Sequence, residues 1–166
     1  YLWKYPELNV TILRPTNIVG PGVMNSISLL LSSPFAPVIM GYSPMMQFIH
    51  VEDMADAICL AFIKNKPGIY NVAPADWVPY PHALKACGCS QKPITPMPIK
   101  LTHYLVKRLN LKAFPSYLLN YYKYPVILDG QYFQNTFDFT PKRSMQEIFE
   151  FYREQKEAIL PNVRVY

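Results

Sequence analysis

The sequence predicts an α/β fold in which a strand-rich first part gives way to a mostly helical lobe. Three observations predict it. Val10–Leu13 is a short β-branched, apolar run closed by Arg14-Pro15 and followed by turn residues. An apolar repeat at helical spacing (Val51, Met54, Ala55, Ile58, Ala61, Phe62) leads directly into the strand-like Ile69–Ala73, the strand–helix–strand order of a parallel sheet. Beyond Pro81 the patterns are mainly helical. These shifts divide the chain into residues 1–75, the end of a sheet with inserted loop elements, and residues 76–166, a C-terminal lobe.

Each element has a local reason. Thr16–Gly22 is read as a loop after the first strand, where α/β sheets place ligands. Asn25–Leu31 is a short helix ending before Ser32-Ser33-Pro34, and Val38–Met40 and Gln47–His50 are strands. Glu52 and Asp53 sit in the first turn of the next helix, where carboxylates complement its dipole, and Lys64 to Gly68 mark its end. Pro81–Cys87 reads as a helix and Ile94–Met97 as an edge strand, because proline removes a ladder donor. Pro98 begins a basic amphipathic helix to about Leu111, and Pro115 another that carries Tyr117, Tyr121 and Tyr124 on one face. Asp129 caps a short helix to Phe137, and Ser144-Met145-Gln146-Glu147 is a capping box. The helix it opens turns Met145, Ile148, Phe149 and Tyr152 inward.

Composition narrows the function. With 51% hydrophobic and 16% charged residues over 166 positions, the chain can bury a core and is not disordered. The net charge of +5 is spread from Lys4 to Arg164 without a cluster, so no nucleic-acid partner is expected. No apolar run is long enough to span a bilayer. The stretch Lys100–Lys123 sets basic residues beside Leu and Tyr in the manner of an interfacial helix, but an ordinary basic surface is the preferred reading. Cys87-Gly88-Cys89 lacks the spacing and the second pair of a zinc site, and His50, His82 and His103 are dispersed. No metal site is expected; Cys59 reads as core filler, and reduced thiols suit a cytoplasmic protein.

Four segments carry a family resemblance. Leu13-Arg14-Pro15-Thr16-Asn17-Ile18-Val19-Gly20-Pro21-Gly22 resembles the LRPxNVYGPG segment of extended short-chain dehydrogenases/reductases, the NAD-dependent epimerase/dehydratase family. Phe48 to Ala57 resembles their FIHVxDxAxA segment, and Gly68-Ile69-Tyr70-Asn71-Val72-Ala73 their GxYNVA strand. Asp129 with Phe137-Asp138-Phe139-Thr140-Pro141 is similar to their closing pattern.

The resemblance implies the C-terminal part of a Rossmann-like doubly wound sheet with a substrate-binding lobe. It also implies a longer parent, since the family's GxxGxxG turn and catalytic Tyr-xxx-Lys belong upstream. Tyr1-Leu2-Trp3-Lys4 has the wrong spacing, so no catalytic residue is expected in this chain. By carry-over, Pro15 and Thr16 border the nicotinamide end of NAD or NADP, and Asn17, Met46 and Phe48 meet a small-molecule substrate. His50 is implied to be structural. The chain alone is expected to bind no cofactor, to be inactive, and to self-associate through its exposed first strand in place of the missing N-terminal Rossmann half. A non-catalytic cofactor-sensing or scaffold relative is the alternative. Sugar-nucleotide epimerases grip the diphosphate with Arg-Asp before the FIHV segment; Met46-Gln47 stands there instead, and Asn120 to Pro125 lies where a second arginine is expected. A more apolar or aromatic substrate follows, because neither residue type replaces a bidentate guanidinium.

Overall fold

A computed structural model describes residues 4–5, 7–95 and 122–159. Along the chain it contains β1 (Thr11–Pro15), β2 (Asn17–Val19), α1 (Ser26–Ser32), β3 (Phe35–Ile39), β4 (Met45–Met46) and β5 (Phe48–His50). There follow α2 (Val51–Lys64), β6 (Gly68–Val72), β7 (Val78–Pro79), α3 (Tyr80–Ala86), β8 (Ser90–Ile94), α4 (Gln131–Phe137) and α5 (Met145–Ile159). Two units interleave in sequence. The first takes residues 1–23, 47–77 and 127–148; the second takes 24–46, 78–126 and 149–166.

In the first unit β1 runs parallel to β6, from Thr11 opposite Gly68 to Pro15 opposite Val72. At Thr16 the chain bends and changes partner: β2 runs parallel to β5, from Asn17 opposite Phe48 to Val19 opposite His50. The Thr16 amide still donates to Val72 O at 3.1 Å, so the fork keeps its backbone satisfied. The core beneath these strands joins Ile49, Met54, Ala57, Ala61, Tyr70, Val72, Phe133, Phe137 and Phe139. Phe133 stacks on Phe137 at 4.6 Å between centroids, and Tyr70 meets Phe137 edge-on at 4.9 Å. Each such ring contributes about 1.5–3 kcal/mol of burial.

Both ends of α2 are fixed locally. His50 Nδ1 accepts from the Glu52 amide at 3.2 Å, giving the helix an imidazole cap and His50 the structural place expected of it. Asn65 closes the helix in the left-handed region (φ 44°), with its side chain accepting from Asn9 Nδ2. Asp53 does more than face a dipole. Only 2% exposed, it accepts from the amides of Lys142 at 2.9 Å and Arg143 at 3.1 Å and so anchors the approach to α5. The Asp56–Lys142 and Glu52–Arg143 pairs beside it, both 2.7 Å, are solvent-exposed and add roughly 0–1 kcal/mol each. The capping box forms as expected: Ser144 N donates to Glu147 Oε2 at 2.7 Å, and Glu147 N donates back to Ser144 Oγ at 3.2 Å.

In the second unit β3 pairs parallel with β8, and β4 pairs antiparallel with β7. Asn25 caps α1 by accepting from Ser28 N at 2.8 Å. Ile27, Leu31, Ala36, Ala83, Leu84 and Tyr152 are buried. Two buried hydroxyls are paired: Tyr152 donates to Ser28 Oγ at 2.8 Å and Tyr80 to Pro37 O at 3.2 Å. Burial pushes the Tyr80 hydroxyl above the ordinary tyrosine range, so it stays a neutral donor.

The α/β class stands, with corrections in detail. Thr16–Gly22 is not all loop, because Asn17–Val19 pairs with β5. The strand observed here is Ser90–Ile94, with Phe35 opposite Ser90; it meets the expected Ile94–Met97 only at Ile94, and residues 96–97 lie outside the described residues. Cys59 is exposed rather than core filler. So are Ile58 and Phe62, at 53% and 86%: α2 turns Met54, Ala57 and Ala61 inward, and the apolar stripe is wider than the face those residues bury. The helix expected at Pro98–Leu111 and most of the one expected from Pro115 to Tyr124 lie outside the described residues; residues 122–124, which are described, form a turn rather than a helix.

Two outcomes follow. A Cβ on Gly130 would stand 2.2 Å from Ala73 O and 2.8 Å from Ala73 N, a backbone approach that only glycine permits. Gly130→Ala should therefore cost about 1–3 kcal/mol in chemical denaturation; unchanged stability would contradict this packing. The Ser144 amide and hydroxyl, aided by Arg143, hold the Glu147 carboxyl below its ordinary range. Its contribution is complete above the unfolded glutamate pKa and lost as pH falls through the lowered folded value. Glu147→Gln keeps the box geometry without the titration, so its stability should fall less on acidification; parallel acid limbs for the two proteins would refute the assignment.

Candidate functional site

The carboxyl ends of β1 and β6 lie side by side, with Pro15 opposite Val72, and the chain then forks toward β2. Ligands of open α/β sheets bind at such ends, where strand partners change. The residue that organises this place is Gln47, 1% exposed. Its carbonyl accepts from Thr16 Oγ1 at 3.1 Å and from Asn17 Nδ2 at 2.8 Å. Its carboxamide donates through Nε2 to Pro74 O at 3.0 Å and Leu128 O at 3.1 Å. Oε1 accepts from Leu128 N at 2.7 Å. One residue, through its backbone carbonyl and its side chain, thus ties the strand fork to the turn after β6 and to the segment leading into α4.

A cavity of about 480 Å³ opens beside it, within the size range of small-molecule sites. Gln47, Pro74, Trp77, Leu128, Asp129 and Gln131 are among its walls. Asp129 Oδ1 accepts from Gln131 N at 2.9 Å and Gln134 Nε2 donates to Ala73 O at 2.9 Å, which holds the start of α4 against the wall. Trp77 is half-exposed. Among the described residues the lining offers amides, one carboxylate and an indole, with neither lysine nor arginine. It suits a ligand held by hydrogen bonds and stacking.

Of the residues singled out by sequence, Pro15 is exposed at the end of β1, and Thr16 and Asn17 are half-buried with their side chains turned to Gln47 O. Phe48, opposite Asn17 in the pairing, is 2% exposed. Met46 belongs to the second unit, where it is 2% exposed and paired with Val78. Tyr124 is exposed, while Tyr117 and Tyr121 lie outside the described residues. Gln47 entered the sequence reading as the start of a strand and as a departure from an expected aspartate, not as an organising residue. The signal that finds it is a carboxamide in an otherwise apolar strand run, where only a fully paired polar group is tolerated.

Gln47→Leu preserves volume but strands the Leu128 amide and carbonyl and the Pro74 carbonyl. At roughly 1–3 kcal/mol for each buried unsatisfied group, we expect a loss of about 3 kcal/mol or more in urea unfolding. A loss below about 1 kcal/mol, the worth of one ordinary hydrogen bond, would show that the carboxamide does not hold these segments.

Residues 1–73 match the NAD dependent epimerase/dehydratase family. The chain is 25% identical over 156 residues to the uncharacterized proteins Rv0501 of Mycobacterium tuberculosis and Mb0513 of Mycobacterium bovis, covering 90% of this chain and 40% of each relative. The chain thus spans about two-fifths of the length of these curated relatives. Among solved structures it resembles the dTDP-glucose 4,6-dehydratase of Bacillus anthracis in complex with NAD (TM-score 0.63, 17% identity), over 93% of this chain and 48% of that one. The UDP-glucuronic acid 4-epimerase of Bacillus cereus, with UDP-glucuronic acid and NAD, gives a TM-score of 0.64 at 12% identity, over 94% and 48%. RMD from Pseudomonas aeruginosa, complexed with NADPH, gives 0.67 at 11% identity, over 95% and 52%. The forked parallel strands accord with these structures, and the chain has the fold of extended short-chain dehydrogenases/reductases, with residues 1–73 similar to the NAD dependent epimerase/dehydratase family.

Proposed function

We propose that the chain is the substrate-side half of an NAD(P)-dependent epimerase, dehydratase or reductase. Residues 1–75 end the nucleotide-binding sheet, and residues 76–166 form the substrate-binding lobe. The observation that carries this reading is the fork at Thr16, where parallel strands change partner at their carboxyl ends beside a cavity. Thr16 and Asn17 spend hydroxyl and amide donors on Gln47 O, so this edge suits bordering a flat ring rather than gripping a charged group. The exposed Pro15 ring fits the same role. When bound, a nicotinamide supplies hydride transfer. Pro15 and Thr16 then shape the wall against it, and Asn17 and Phe48 line the approach to substrate.

The substrate reading rests on the same residues. Where a diphosphate would call for arginine, Met46 is buried and Gln47 is fully committed to backbone partners. Trp77 and the amides of the cavity favour an apolar or aromatic substrate carrying hydroxyl or carbonyl groups.

The half reading draws on an open face. Among the described residues β1 pairs with β6 alone, although parallel strands are usually buried between neighbours. A groove of about 590 Å³ beside it is lined by Leu13, Ile58, Phe62 and Ile63, the last three 53%, 86% and 75% exposed. A nucleotide-binding half carrying the GxxGxxG turn and the Tyr-xxx-Lys pair covers this face in the parent. The isolated chain is then inactive and self-associates there.

Calorimetric titration with NAD and NADP tests the reading. The 166-residue chain alone should give no binding, and a polypeptide that also includes the nucleotide-binding half should bind one of them. Micromolar binding by the chain alone would overturn the half assignment. Failure of the longer polypeptide to bind either would overturn cofactor use and favour a scaffold.

A further inference from the structure

The second unit holds a buried cation paired with sulfur, apart from the site above. Lys156, on α5, is 7% exposed, and its Nζ donates to Cys87 O at 2.5 Å and to Cys89 Sγ at 2.9 Å. Buried lysines are ordinarily paired with carboxylates, yet Lys156 has no carboxylate partner among the described residues. Cys89 is 6% exposed, and its Sγ also faces Leu31 O at 3.3 Å and Leu30 O at 3.6 Å. Contacts from α1, α5 and the turn after α3 therefore fix the sulfur and the amine against each other. Cys87 is a poor rival: it is fully buried, and burial pushes its thiol up to about 12.

We propose that Lys156 and Cys89 are the two ends of a peroxide-formed N–O–S cross-link. Two single bonds bent at one oxygen cover the present N–S separation with little movement of either side chain. The chemistry balances with hydrogen peroxide as oxidant. The Cys89 sulfur attacks one peroxide, the O–O bond breaks, and a sulfenic acid and water result. The Lys156 amine, once it has given its ammonium proton to solvent, and a second peroxide then complete the bridge. One N–H bond, the sulfenic O–H bond and the second O–O bond break; the N–O bond forms, and two waters leave. Sulfur and nitrogen are oxidised, and both peroxides are reduced. The bridge joins residues 67 apart and clamps α5 to the turn between α3 and β8. Exposed Cys59, in the first unit, serves as an internal control for oxidant access.

The test is a peroxide titration of the intact protein, followed by non-reducing peptide mapping. The expected product links the Cys89 and Lys156 peptides with a gain of one oxygen and a loss of two hydrogens. Dithiothreitol should reverse it, and the thermal midpoint should rise by several degrees while it is present. Lys156→Arg should abolish the link, with Cys59 oxidised as before. Cys89→Ser should abolish it as well. Three results would overturn the proposal: Cys89 carried only to sulfenic or sulfinic acid, a Cys87–Cys89 disulfide seen as a loss of two hydrogens within one peptide, or unmodified Cys89 when Cys59 is fully oxidised.

Discussion

The first unit depends on one buried carboxamide. Gln47 satisfies polar groups from three chain segments that are distant in sequence, two through its side chain and one through its carbonyl. In a low-dielectric setting such a group is stabilising only when complete, since each bond left unmade costs more than a made bond contributes. The strand fork, the turn at Pro74 and the entry to α4 therefore stand or fall together. This coupling gives the cavity its walls: Pro74 and Leu128 are at once hydrogen-bond partners of Gln47 and lining residues. Gly130 completes the arrangement by admitting the backbone of Ala73 where a side chain would collide.

Opposed to this satisfied interior is an unsatisfied exterior. The α2 helix carries more apolar surface than its own unit covers, and β1 offers an edge beside it. The solved structures that share this fold are about twice as long as this chain. Among the described residues the strand fork is bonded while the first strand keeps an open side, the feature on which the proposed half reading draws.

Much of the fold was legible because it is written in local chemistry. Ser144 and Glu147 cap α5 as their spacing requires, and Asn25 marks the start of α1. The inward face of α5 is correct at Ile148, Phe149 and Tyr152. What escaped was non-local. Nothing periodic in Asn17–Val19 announces a partner thirty residues on, and the short β4–β7 pair depends wholly on tertiary placement. Ile58, Phe62 and Cys59 misled for a different reason: an apolar stripe records what a helix can bury, not which neighbours are present. At the candidate site, Pro15, Thr16 and Asn17 were visible through their motif. Gln47 was not, because its importance lies in partners at Pro74 and Leu128 that no spacing rule connects.

Amide hydrogen exchange at Leu128 tests the central claim most directly. Its amide is held by Gln47 Oε1 at 2.7 Å and by no helix or strand, so its protection reports the buried carboxamide itself. The account predicts exchange as slow as that of the β6 amides in the core. Exchange at the rate of an open loop, with β6 still protected, would show that Gln47 does not hold the first unit together.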